Sequence, residues 1–269
     1  MSDKYKAFFG LEKEPFISDI ATSDIMVTPE IMAVEQRFKY AVRLGATALI
    51  TGEVGAGKST ALRWAISQLP PSDYQIIRIT ACSGSIIEFY RQLVSEMEID
   101  RSSNSKAVLT REIKHRVYEL VREKRQQPII IVDEAALLKL DVFVELHTIT
   151  QFDFDSKPWL PIVLIGQNYL VDKLKFRKSG PLASRVVART HLDAVGKEDM
   201  RKYLVHHLEI AGTKTDLFSE LAHASIFQGS GGLFRKANHL ARGALIAAAR
   251  QKASVVSPDH VKIASSEIF

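Results

Sequence analysis

Apolar and polar positions alternate in two different ways along this chain. Up to about residue 195, short and nearly unbroken apolar runs are separated by stretches of helical spacing. Beyond it only helical spacing remains. The runs are 46–51, Gln75-Ile76-Ile77-Arg78-Ile79-Thr80, Pro128-Ile129-Ile130-Ile131-Val132, Pro161-Ile162-Val163-Leu164-Ile165 and the weaker Val186–Leu192. Strands this apolar are what a parallel sheet covered on both faces demands. Between them, Ser85 to Met97 carries Ile86, Phe89, Tyr90, Leu93 and Met97 at helical spacing, and a second helix is expected from about Leu109 to Lys124. Thr28-Pro29-Glu30 reads as a helix start, with Thr28 as N-cap and Pro29 in the first turn, running to about Val42. The tail predicts helices at 198–210, 215–227, 233–251 and 258–267, broken at Gly212, Gly229–Gly232 and Ser257-Pro258. An α/β portion followed by an all-helical one is therefore expected: an N-terminal segment and helix over 1–45 packing on the ligand site, a core over 46–195 and a helical lid over 196–269. Tyr5, Phe8, Phe9 and Phe16 give the opening segment an aromatic cluster, suited to core packing or to covering a planar ligand.

Between the first apolar run and a helix-like stretch lies Gly52-Glu53-Val54-Gly55-Ala56-Gly57-Lys58-Ser59, followed by Thr60. This is a complete G-x-x-x-x-G-K-[ST] pattern in the strand–loop–helix setting that it needs. Glycines let successive backbone N–H groups turn inward around phosphate oxygens, and the helix start adds its positive dipole end. Lys58 would reach the β- and γ-phosphates of a nucleoside triphosphate, and the Ser59 hydroxyl would enter a Mg²⁺ shell.

The third apolar run ends in Asp133-Glu134. At the carboxyl end of a parallel strand beside the loop, Asp133 would hold Mg²⁺ and Glu134 would polarise an attacking water as general base. Capping of the next helix is the competing use of two such acids. Gln167 and Asn168 follow the fourth run, where an amide orients water or simply marks a turn. Arg185 ends a short helix before the last strand and is the candidate arginine finger onto a neighbour's γ-phosphate, with Arg177 and Arg189 as rivals. Arg235 opens a helix after Gly231-Gly232 and is a candidate to read the nucleotide in cis.

Composition adds less. The chain has 269 residues, 46% hydrophobic and 25% charged, which is ordinary for a globular protein with a sizeable core. A net charge of +5 and pI near 9.2 lean towards a polyanionic partner. Cys82 is the single cysteine, so neither an intrachain disulfide nor a cysteine metal cluster forms. No run approaches the roughly 18–20 apolar residues of a membrane span, and 1–6 lacks a signal-peptide core. A cytoplasmic protein is expected.

Taken together, these residues resemble an AAA+ ATPase of the ExeA-like branch. Tyr5-x-x-Phe8-Phe9-Gly10-Leu11-x-x-x-Pro15-Phe16, the loop at 52–60, Val132-Asp133-Glu134-Ala135, Ile165-Gly166-Gln167 and Gly232-Leu233-Phe234-Arg235 carry the resemblance in order. It implies ATP and Mg²⁺ as cofactors, Lys58 and Ser59 as Walker A, and Asp133 and Glu134 as Walker B. It further implies Gln167 as first sensor, Arg185 as finger and Arg235 as second sensor. Ala136 and Phe234 depart from it, standing where relatives carry a polar residue and a proline. Ending at Phe269 without a membrane or cell-wall region, the chain is expected to be similar to stand-alone DNA-transposition helpers of the Mu B type. Those self-associate into rings or helical filaments on duplex DNA, presenting target to a transposase, sometimes with a target-selection protein. The alternative is a secretion or protein-remodelling ATPase. By the same resemblance Arg101, Lys106, Arg111 and Lys114 are the candidate DNA contacts, although their mixture with Glu112 and Glu119 also fits a solvated helix face.

Overall fold

A computed structural model describes residues 2–81, 83–100 and 103–266; Cys82 and Arg101 lie outside the described residues. In chain order the elements are α1 (Ser2–Phe9), α2 (Pro29–Arg43), β1 (Thr47–Gly52), α3 (Lys58–Ser67), β2 (Tyr74–Thr80), α4 (Ile86–Glu96), α5 (Lys106–Tyr118) and β3 (Gln127–Asp133). They continue as α6 (Leu140–Ile149), β4 (Ile162–Gly166), α7 (Tyr169–Lys175), α8 (Gly180–Ala183), β5 (Val186–Leu192), α9 (Lys197–Ile210), α10 (Glu220–Ser230), α11 (Phe234–Arg250) and α12 (Pro258–Ser266). Contacts divide the chain into two compact units. A sheet unit comprises Thr28–Gly52 and Lys58–Leu192; a helical unit comprises 2–27, Glu53–Gly57 and 193–266. The N-terminal segment expected over 1–45 is thus shared out, residues before Thr28 going with the C-terminal helices and α2 with the sheet.

In the sheet unit all five strands are parallel, in the order β2-β3-β4-β1-β5. Every residue of β1 and β4 is buried, as is β3 from Pro128 to Val132, which is why the sequence there is apolar without alternation. Helix α2 starts where expected: Thr28 Oγ1 accepts from the Ile31 N–H at 3.3 Å, with Pro29 in the first turn. Ser85 and Glu88 cap α4 reciprocally. The helix expected at 109–124 begins three residues earlier and ends in a π-helical turn, Glu119–Glu123. Helix α6 had no counterpart in the sequence reading. Its apolar side, Val142, Phe143, Leu146 and Ile149, has helical spacing, but Lys139 at its N-cap offers no side-chain cap to announce it. These residues join Phe89, Tyr90, Leu93 and Ile113 in one core against the sheet.

The helical unit has its own core. Tyr5, Leu11 and Phe16 pack with Met200, Leu204, Phe218 and Leu245, which places Tyr5 and Phe16 of the opening aromatics in the core, while Phe8 is exposed. His207 stacks on Phe16, ring centres 5.5 Å apart. The helix expected from 215 starts only at Glu220, because Asp216 turns the chain: its carboxylate accepts from the Phe218 N–H and meets His223 Nε2 at 2.9 Å, and Ser219 then caps Ala222.

Candidate nucleotide site

Strand β1 ends at Gly52, where the phosphate-type loop begins. Gly52 has φ +157°, and a Cβ there would lie 2.5 Å from the Leu192 carbonyl oxygen on β5, so no other residue fits. The loop bends through Gly55, φ +89°, whose carbonyl accepts from the Arg235 N–H at 3.4 Å; a Cβ on Gly55 would sit 2.8 Å from that of Arg235. Glu53 and Val54 are exposed, Ala56 is buried and donates to the Glu53 carbonyl, and Gly57 is half-buried. Lys58 opens α3. It is 8% exposed, and its Nζ donates to the Gly52 carbonyl at 2.9 Å, so the ammonium is drawn back to the end of β1. Ser59 is exposed in the same first turn, with Thr60 half-buried behind it.

Asp133 ends β3. Its Oδ1 accepts from the Glu134 N–H at 2.8 Å, leaving Oδ2 to offer to a cation, while its carbonyl accepts from Ala81. Glu134 itself is left-handed (φ 50°, ψ 33°) and leads into a 3₁₀ turn, Ala135–Leu137. A glutamate held there is under backbone strain. Between β1 and β3 the fold inserts β4, so Asp133 does not stand directly beside the loop strand as its sequence position suggests. The pairings Thr51 with Gly166 and Val132 with Leu164 set the three strand ends level. Half-buried Gln167 follows Gly166 at the middle of this row. Ala136 is fully buried beneath it: a Cβ on Gly166 would lie 3.2 Å from the Ala136 nitrogen and 3.3 Å from its Cβ. A polar side chain at 136 would be buried.

Arg185 follows α8 by two residues and is half-buried. Its Nε donates to His147 Nδ1 on α6 at 3.0 Å, and its Nη2 pairs with Asp155 in the loop before β4. The Asp155 carboxyl is held below its ordinary range chiefly by that guanidinium bond. The His147 imidazole is pushed down by burial and then by the Arg185 charge. Neither partner was visible in the sequence, since no motif links 147, 155 and 185. Of the rival arginines, Arg189 lies on β5, where its carbonyl accepts from Arg37, and Arg177 begins a 3₁₀ turn.

Residues 43–174 match a protein-family model described as AAA domain. Across 94% of its length the chain superposes on Cdc6p from Pyrobaculum aerophilum, covering 70% of that structure with a TM-score of 0.74 at 16% identity. The fold is that of an AAA P-loop NTPase. Similar too is the Aeropyrum pernix ORC1 protein, solved in complex with DNA (TM-score 0.69, 18% identity, 94% of this chain and 68% of that one). Among curated proteins, General secretion pathway protein A of Aeromonas hydrophila is 30% identical over 275 residues, spanning 98% of this chain. The chain spans about half the length, 48%, of that relative.

Of the expected DNA contacts, Lys106, Arg111 and Lys114 lie on α5, and each has a partner within the sheet unit. Lys106 Nζ pairs with buried Glu145 at 2.6 Å, and Glu145 also accepts from Tyr90 Oη at 2.9 Å. Lys114 Nζ donates to the Gln151 carbonyl at 3.0 Å and lies over the Phe152 ring. Arg111 pairs with its neighbour Glu112 at 3.2 Å. No helix among the described residues is long and apolar enough to cross a membrane.

Proposed function

We propose that the chain hydrolyses ATP with Mg²⁺ at the carboxyl edge of its sheet, as an oligomer assembled on duplex DNA. The observation that carries the hydrolytic part is the level row of strand ends, with Gly52–Ser59 after β1, Gln167 after β4 and Asp133-Glu134 after β3. Among the described residues no three His, Cys, Asp or Glu gather as a metal cage. The donors that fit Mg²⁺ are the exposed Ser59 hydroxyl and the second Asp133 oxygen, a set that needs nucleotide oxygens to complete it. When bound, the ion neutralises phosphate charge. Lys58, its ammonium already held at the end of β1, binds the β- and γ-phosphates. Gln167 orients a water for in-line attack on the γ-phosphorus. Glu134 takes that water's proton as the bond to the ADP oxygen breaks. Arg235, bonded through its backbone to Gly55, senses the nucleotide, and Arg185 supplies charge to a neighbouring copy's γ-phosphate. Glu134→Gln should keep ATP affinity while hydrolysis falls about 10²–10⁴-fold. Equal turnover in a phosphate-release assay would remove Glu134 from the role of base.

The DNA part is supported by the basic pI and by the shared fold of a protein solved on DNA. Contacts would be to the phosphate backbone, with little sequence preference and a steep salt dependence. In its most specific form the protein presents target DNA to a transposase. A second reading, secretion or remodelling of protein partners, is favoured by the 30% identity to General secretion pathway protein A. Mobility shifts of duplex DNA with a non-hydrolysable ATP analogue separate them. Nucleotide-dependent binding that weakens with salt supports the first reading, and no binding at about 50 mM salt leaves the second.

A further inference from the structure

Arg185 is the proposed catalytic side chain whose guanidinium is held at two of its nitrogens within its own unit. Two elements hold it: His147 on α6 accepts at Nε, and Asp155 takes the Nη2 edge. Because His147 Nδ1 accepts from Arg185, its Nε2 carries the ring proton, and Gln151 Nε2 lies 3.2 Å from that atom. Gln151 is fixed in turn through its carbonyl by Lys114. A neutral His147 is therefore built in, in keeping with its lowered proton affinity.

The loop that delivers Asp155 is unusual. Asp153, Phe154 and Asp155 are three successive non-glycine residues in the left-handed region, with φ 48°, 52° and 70°. Phe154 stands fully exposed at its apex, although Phe152 and Trp159 on either side pack against each other as a tilted pair, ring centres 5.4 Å apart. Side chains rarely adopt even one such conformation, so the turn is a spring closed by the Asp155–Arg185 pair.

We propose that Asp155 and His147 are positioning residues that hold Arg185 in a resting place. Relaxation of the 153–155 turn, when a second copy of this chain assembles, frees the guanidinium to act on that copy's nucleotide. The inference rests on Arg185 acting between subunits. It makes the free subunit self-restrained rather than merely incomplete.

The experiment follows ATPase rate against protein concentration for wild type, Asp155→Asn, Asp155→Glu, Arg185→Ala and the Asp155→Asn/Arg185→Ala pair. Release predicts that Asp155→Asn is severalfold faster than wild type at low protein concentration and converges with it at high concentration. Asp155→Glu stays near wild type, and the double variant is no faster than Arg185→Ala alone. A purely structural role for Asp155 would instead lower its rate throughout. In parallel, the Arg185 Nε–H signal is followed by NMR in the nucleotide-free protein. It should exchange slowly in wild type and rapidly in Asp155→Asn. An Arg185 Nε–H that exchanges freely in wild type, or an Asp155→Asn no faster than wild type while Arg185→Ala is inactive, overturns the restraint alone. Full activity of Arg185→Ala at every concentration overturns both the restraint and the intersubunit role beneath it.

Discussion

In the sheet unit, the polar side chains that matter stand at strand ends and keep part of their surface in water. In the helical unit, several polar rings lie inside packed helices. His207 is buried between Phe16 and Tyr203, its proton affinity pushed down to a pKa of about 4 by burial and then by His206. Tyr203 is pushed up to about 12, again by burial, while its hydroxyl donates to Asn238 at 2.9 Å. His223 is almost wholly buried against Asp216. A shifted proton affinity thus marks packing in one unit. In the other, the candidate site residues are marked by where they fall on the sheet. Asp133, Glu134 and Gln167 are distinguished by their place in the row.

The largest effect that would sharpen this contrast is at Lys58. Lys58→Ala should weaken ATP binding roughly a hundredfold or more by calorimetry, since charge-assisted phosphate contacts are lost, while the circular dichroism spectrum stays unchanged. A variant that still binds ATP normally would break the reading of the sheet edge as a nucleotide site. Acid should act on the helical unit instead. An unfolded histidine titrates near 6.5, so between about 6.5 and 4 the unfolded state binds the proton that folded His207 refuses. The contribution of His207 is complete above pH 6.5 and falls by up to about 3 kcal/mol as pH drops to 4. Trp64 and Trp159 both belong to the sheet unit, so helicity should decline in acid before tryptophan fluorescence changes. His207→Phe should remove that early phase. Coincident transitions in both proteins would show that the buried imidazole does not set the acid limit. The smallest effect is at Gly166. Gly166→Ala presses a methyl group against Ala136 and Leu170, costing about 1 kcal/mol and lowering the melting temperature by roughly 2–4 °C.

Much of the sheet unit was legible because parallel strands and the phosphate-type loop are local patterns. Thr28 with Pro29, the loop at 52–59 and the apolar run before Asp133 each announce themselves within a few residues. Strand order was not legible, since nothing in Ile162–Gly166 says that it lies between β1 and β3. Helix α6 escaped because its start has no side-chain cap to announce it. The partners of Arg185 escaped because 147, 155 and 185 meet only in the folded chain. The positive charges of α5 were visible, but that Lys106 faces a buried glutamate and Lys114 a backbone carbonyl was not. Charge can be counted along a sequence, whereas the partner that receives it comes from 37 or 39 residues away.

Tyr5, Leu11 and Phe16 belong to a core whose other members begin at Met200. On the ribosome these three emerge well before the residues that complete their core. At roughly 5–20 residues per second, they wait on the order of ten to forty seconds for their partners. Throughout that interval the nascent chain displays an aromatic segment with nothing to bury it, while the strands between are already able to pair. The opening residues are therefore where a chaperone has the longest opportunity to engage the growing protein.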